Sequence, residues 1–181
     1  MIDRKHFFDT VRADLFSDIL TQGQVHGMEE ILRQYEQSTW TEEKWLAYLL
    51  ATVYHETGKT MQPTKERGGE AYLRSKKYYP YYGRDLMQTT WLANYKKVKA
   101  FTGVDVVANP ALIGQLEMAV RVAFKFMEKG WYTGKKLADY FNAEKADWVN
   151  ARRIINGTDR ALDVASYGLK FLNAIHNDAS S

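Results

Sequence analysis

"EEKWLAYLLATVYHETG", residues 42–58, is the stretch on which the fold turns. Glu42 and Glu43 stand where a helix N-terminus favours anions. Gly58 stands where a helix commonly stops. Between them Trp45, Leu46, Tyr48, Leu49, Leu50, Val53 and Tyr54 leave almost no polar face. A helix that is apolar nearly all round is expected in the interior. Thr41 is the expected cap, and the segment is expected to be the buried third helix of the chain. Its last turn ends in His55-Glu56, which raises a chemical question as well as a structural one.

Working outward, helical spacing dominates. Asp3 can cap a first helix through about Asp14. Thr21 can cap a second, with Val25, Met28, Ile31, Leu32 and Tyr35 on one stripe. Residues 58–90 break the pattern with Pro63, Gly68, Gly69, Pro80 and Gly83 among many tyrosines. They are expected to form a loop-rich lobe with a short hairpin, and a long irregular stretch in a compact domain is often functional. Helices then resume. Thr90 can open one that stops at Gly103, and Asn109-Pro110 fits a cap followed by a first-turn proline. An amphipathic helix is expected from Gln115 to Lys129, with short helices near 135–141 and 145–155 and a last one capped by Asp159. No repeat or linker divides the chain. The expectation is one domain over residues 1–181, all-α or α-rich α+β, with a small loop or hairpin lobe around 58–90.

Composition narrows the classes. The 181 residues are 45% hydrophobic, enough for a sizeable core. There is no cysteine, hence no disulfide and no thiolate metal site. No apolar run approaches the ~20 residues that span a bilayer. The first thirty residues show no apolar signal core, so the expected site of synthesis and folding is a cytoplasm. Net charge is +3 and the pI is near 8.9. Such a surface helps approach to an anionic polymer. The basic runs "YKKVK" and "GKKL" are too short for a nucleic-acid footprint and read as solvated helix faces.

His55-Glu56 admits two readings. A zinc-protease helix needs His-Glu-x-x-His, so that two imidazoles one turn apart meet one metal. Position 59 is Lys, and His6, His26 and His176 have no ligand spacing to His55. That argues against zinc. The other reading makes Glu56 a general acid, its carboxyl desolvated at the end of a buried helix. Glycoside hydrolysis needs such an acid and a second carboxylate. Glu66 and Glu70 follow on the loop, and a bland pair of surface charges would look the same by spacing alone.

Further stretches add weight to the second reading. "YYGRDLMQTTWLANY", residues 81–95, sets Gln88, Thr90 and Asn94 beside Tyr82, Trp91 and Tyr95. Amides and hydroxyls can hold water and sugar hydroxyls, and aromatic rings stack on sugar faces. "RRIINGTDR", residues 152–160, gathers Arg153, Asn156 and Arg160 at a helix stop.

"HETG" at 55–58, "YYGRDLMQTTWLANY", "NPALI" at 109–113 and "RRIINGT" at 152–158 together resemble the family 19 glycoside hydrolases. These comprise plant-type chitinases and related bacterial and phage endolysins. The motifs come in the family's order across about residues 45–160. The compact length and N-terminal helices look more like the phage or prophage endolysin branch.

The resemblance implies a lysozyme-like fold of two lobes and an inverting mechanism without metal or cofactor. It implies Glu56 as acid, Glu66 as base with Glu70 in reserve, and Thr90 holding the water. It implies glycan contacts from His55, Tyr82, Gln88, Trp91, Asn94, Tyr95, Asn156 and Arg160. Asp85 stands where the family commonly has glycine, and Thr158 replaces a second glycine. The substrate so implied is the β-1,4 glycan of bacterial peptidoglycan, with chitin as the alternative and a non-catalytic glycan-binding module as a rival of another class. An endolysin of this kind is expected to be a monomer that binds no nucleic acid and inserts in no membrane. It would wait in the host bacterial cytoplasm and depend on a holin for release.

Overall fold

The computed structural model describes residues 1–176. Helix α1 spans Arg4–Leu15, with the Asp3 carboxylate accepting from the His6 N–H. Helix α2 spans Gln22–Gln37, opened by a reciprocal capping box between Thr21 and Gln24. Helix α3 spans Glu43–Glu56 and is buried without interruption from Leu46 to Tyr54, as its composition predicts. Its cap is Glu42 rather than Thr41. The Glu42 backbone is extended and its carboxylate turns back onto the Lys44 N–H, so the helix begins one residue later.

The 58–90 region differs from expectation. It contains no strand; instead a six-residue helix, α4, spans Gly69–Arg74. Gly68 and Gly69 take positive φ and turn the chain, and the Arg74–Glu70 pair one turn apart supports the short helix. The two-stranded hairpin lies elsewhere: β1 (Phe141–Asn142) runs antiparallel to β2 (Lys145–Ala146). Helix α5 spans Leu92–Thr102 and ends at Gly103 in the left-handed conformation. Its cap is Trp91 rather than Thr90. A 3-10 turn occupies Pro110–Gly114, and α6 spans Leu116–Lys129 with Gly130 as its left-handed stop. The expected helices near 135–141 and 145–155 are 3-10 turns at Leu137–Asp139 and Asn150–Ile154, with the hairpin between them. Helix α7 spans Ala161–Ile175 and starts after Arg160, one residue beyond the expected Asp159 cap.

Two apolar clusters result. The larger joins α1, α2, α3 and α7, with α3 packed on α7 and α7 on α1. The smaller gathers Tyr95, Val98, Val106 and Ile113 against Met118, Val122 and Phe126 of α6. Helix α6 serves both, since Ala119, Val120, Ala123, Phe124 and Met127 face the larger cluster. One helix with two apolar faces therefore ties the lobes together. The molecule is α-rich, as expected. Among the described residues no helix is long and apolar enough to cross a membrane.

The chain leaving α3 is pinned against α2. Gln24 donates to the Lys59 carbonyl at 3.1 Å and Gln62 to the Gly23 carbonyl at 2.6 Å. Gly27 completes the fit, because a Cβ there would overlap the Met61 carbonyl oxygen. Gly27→Ala should destabilise the protein by about 1–3 kcal/mol despite its helix-favouring side chain. Thermal unfolding should show a Tm lower by about 3–10 °C; an unchanged Tm would mean that this contact yields freely.

Candidate active site

Glu56 is the last residue of α3, and its carboxylate does not stand alone. Oε1 accepts from the Arg152 guanidinium at 2.6 Å. Arg152 is buried, its side chain 3% exposed against 22% for Glu56. A second guanidinium N–H of Arg152 donates to the Asp159 carbonyl at 2.8 Å. The sequence directs attention to Arg153, but that residue is exposed while Arg152 carries the pair. In the tight 3-10 turn over 150–154 successive side chains point about a third of a turn apart, so only one arginine can face inward. Charge pairing as well as burial therefore defines the surroundings of Glu56.

Glu66 is held against the "YYGRD" turn. Its N–H donates to the Gly83 carbonyl at 2.8 Å, and its Oε2 accepts from the Gly83 N–H at 3.1 Å. Its Oε1 accepts from the Tyr78 hydroxyl at 2.5 Å. This bond pushes the Tyr78 phenol up to about 12, so Tyr78 remains a donor at neutral pH. Glu70 lies in a different setting: it is exposed and pairs with Arg74 at 3.1 Å and Lys65 at 3.9 Å.

Gln88 has a structural bond of its own. Its φ is +57°, and its amide donates to the Thr64 carbonyl at 2.6 Å, clamping the segment that leads to Glu66. Gly83 makes room for that side chain, since a Cβ there would lie 2.5 Å from the Gln88 Oε1. Asp85, which stands where the resemblance leads one to expect glycine, is buried beneath the same turn. It accepts from the Thr89 N–H at 2.8 Å and the Thr89 hydroxyl at 2.6 Å. Burial pushes the Asp85 carboxyl up, and the Thr89 bonds oppose that push. The Thr89 hydroxyl also lies 3.4 Å from the Tyr132 hydroxyl. Burial pushes the Tyr132 phenol well up, with both Asp85 and Glu56 adding to the effect. Tyr132 thus lies within electrostatic range of both Asp85 and Glu56.

Among the remaining candidates, Thr90 is half-buried and its hydroxyl makes no hydrogen bond among the described residues. Asn94 donates to the Thr90 carbonyl at 2.9 Å. Trp91, with φ +75°, is 50% exposed and packs edge-on against Tyr78. Tyr82 and Tyr95 are buried. The Tyr95 hydroxyl donates to the Tyr82 carbonyl at 2.6 Å, and the Arg84 guanidinium lies 3.4 Å from the Tyr82 ring centroid. These two tyrosines build the turn from inside rather than offering rings to a ligand. Asn156 is exposed. His55 and Arg160 share a small cavity that neither Glu56 nor Arg152 lines. Among the described residues no group of three His, Asp or Glu is placed to hold a metal ion.

The sequence reading thus missed Arg152, Thr89, Tyr132 and Tyr78. Arg152 lay inside a quoted motif, but choosing it needed the phase of the turn. Nothing in the spacing pointed to Tyr132, 43 residues from Thr89.

No protein-family model matches the sequence, and no curated protein does either. Solved structures do match. Chitinase C from Streptomyces griseus superposes with a TM-score of 0.64 at 19% identity, over 96% of this chain and 76% of that one. A mutant of chitinase C gives 0.58 at 18%, over 96% and 92%. A bacterial family 19 chitinase gives 0.57 at 17%, over 99% and 97%. The likeness spans nearly the whole chain and establishes the α-rich, lysozyme-like fold of the family 19 chitinases.

Proposed function

We propose that the protein is an endolysin-type glycoside hydrolase that cleaves β-1,4 bonds of bacterial peptidoglycan with inversion. One observation carries the reading: Glu56 of "HETG" and Arg152 of "RRIINGT", 96 residues apart, meet in one hydrogen bond from the guanidinium to Oε1. They do so on a chain with the family 19 chitinase fold. Glu66 meeting Gly83 of "YYGRDLMQTTWLANY" adds to it.

In this mechanism Glu56 Oε1 is held by Arg152, and Oε2 carries the proton passed to the leaving glycosidic oxygen. Glu66 acts as general base on a water at the opposite face of the sugar. The Tyr78 and Gly83 donors fix its orientation and leave lone pairs for that water. The Thr90 hydroxyl helps hold the water. Trp91, Asn94 and Asn156 contact the glycan, and Gln88 keeps the base-bearing segment in register.

A net charge of +3 favours the anionic wall polymer over uncharged chitin. The second reading, a chitinase, draws on the names of the solved structures. Digestion of purified peptidoglycan and of a soluble chitin oligomer separates them. New N-acetylmuramic acid reducing ends, identified by mass spectrometry, are the expected result. Cleavage of chitin alone moves the protein to the chitinase reading, and cleavage of neither overturns the enzyme. As an endolysin it would act as a monomer and reach the wall from the host cytoplasm through a holin pore.

A further inference from the structure

The cavity shared by His55 and Arg160 has a composition that the glycosidic chemistry does not use. It holds about 200 Å³, below the roughly 300–1,000 Å³ of a site for a whole small-molecule ligand, so it suits a substituent rather than a run of sugar rings. Tyr54 and Tyr167 wall it, and His55, Lys59, Arg160 and Asp163 supply its polar groups. Lys59 and Arg160 are two cations against one carboxylate. The shortest Arg160–Asp163 contact is 3.3 Å and no hydrogen bond joins the two side chains, which leaves guanidinium N–H groups to face a ligand. The Lys59 ammonium stands 5.6 Å from the Tyr54 ring centroid, with no carboxylate paired to it among the described residues. The His55 ring likewise makes no hydrogen bond among the described residues.

Backbone geometry marks the same place. Lys59 has φ +72° and Arg160 φ +56°, both in the left-handed region that side chains other than glycine rarely adopt. Strain of this kind persists where the surrounding structure imposes it, and it gathers at ligand clamps. Here it brings two cations from distant segments to one cavity. The cavity's position also matters. His55 precedes Glu56 in the chain, and Arg160 follows the Asp159 carbonyl that Arg152 grips. Residues that line the cavity are thus chain neighbours of both ends of the Glu56–Arg152 pair, although neither member of the pair lines it.

We infer that this cavity is an anion subsite that takes a carboxylate of the peptide borne by the lactyl group of the glycan. The inference rests on the peptidoglycan reading and deepens it. Chitin has no such carboxylate, so the subsite supplies a preference between two polymers that share a backbone. Arg160 is largely exposed, which limits the gain to that of an exposed ion pair.

The test reads binding, not turnover. The probe is N-acetylglucosaminyl-N-acetylmuramic acid carrying a dipeptide with one free carboxylate, compared with its methyl ester by isothermal titration of the full chain. The free acid should bind about fivefold more tightly than the ester, the scale of one exposed ion pair. The gap should vanish in Lys59→Gln, return in Lys59→Arg and shrink at high salt. Equal affinities of the wild type for acid and ester, binding of neither, or a gap that survives Lys59→Gln would each overturn the subsite. The wild-type comparison decides this even where a variant fails to fold. Failure of the hydrolase reading is seen separately, as the absence of new reducing ends.

Discussion

Glu56→Gln should lower the rate of glycan hydrolysis by about 10²–10⁴-fold and leave glycan binding intact. The substitution keeps volume and an acceptor oxygen for Arg152, which stands 2.6 Å from Oε1 in the wild type. It removes only the transferable proton. Breaking a buried pair leaves an uncompensated charge, but here the amide oxygen still accepts from the guanidinium, so the fold should hold. Circular dichroism and binding to insoluble peptidoglycan check those two points, and reducing-end release checks the rate. A variant that binds and still hydrolyses at the wild-type rate would remove Glu56 from the mechanism. A wild type that binds without hydrolysing would make the protein a glycan-binding module.

Glu66→Gln should cost a comparable factor of about 10²–10⁴ in kcat, because an amide cannot accept the proton of the attacking water. Glu70→Gln should change kcat by less than about twofold, its carboxylate being engaged by Arg74, Lys65 and the Tyr79 hydroxyl in exposed contacts. The two carboxylates differ in setting: Glu66 is oriented by two donors from the "YYGRD" side, whereas Glu70 lies on the outside of α4. Wild-type kcat/KM should be bell-shaped in pH, since one carboxyl must be protonated and the other ionised. In Glu66→Gln the limb that reports the base should disappear. A flat profile from about pH 4 to 9, or equal losses in the Glu66 and Glu70 variants, would contradict a base at Glu66.

What could be read from the chain follows the range of the forces involved. Helix content is written locally. The all-apolar run of α3, the Thr21–Gln24 box, the Asp3 cap and the stops at Gly103 and Gly130 are each specified by residues within about a turn of one another. The four motifs and their order were also legible, and with them the α-rich fold. Local signals failed where two segments compete or where neighbours from afar decide. Residues 69–74 became a helix rather than a hairpin because two positive-φ glycines turned the chain into a run of helix-competent residues. The caps of α3, α5 and α7 moved by one residue: Glu42 caps through its side chain, whereas Trp91 and Arg160 sit at positive φ and make no side-chain capping bond, a choice that residue type does not announce.

The candidate site shows the same division. The sequence by itself determined which carboxylates and amides were available and that they lay near the ends of helices. It could not determine which arginine would reach Glu56, that Gln88 would clamp Thr64, or that Tyr82 and Tyr95 would face inward. Nor could it join Asp85 and Thr89 to Tyr132, or bring Lys59 to Arg160. These pairings span tens of residues, and their partners are selected by packing: α3 against α7, and α6 between two apolar clusters. A carboxylate's chemistry depends on the charges and donors within a few ångströms of it, and in this chain only the tertiary fold supplies them.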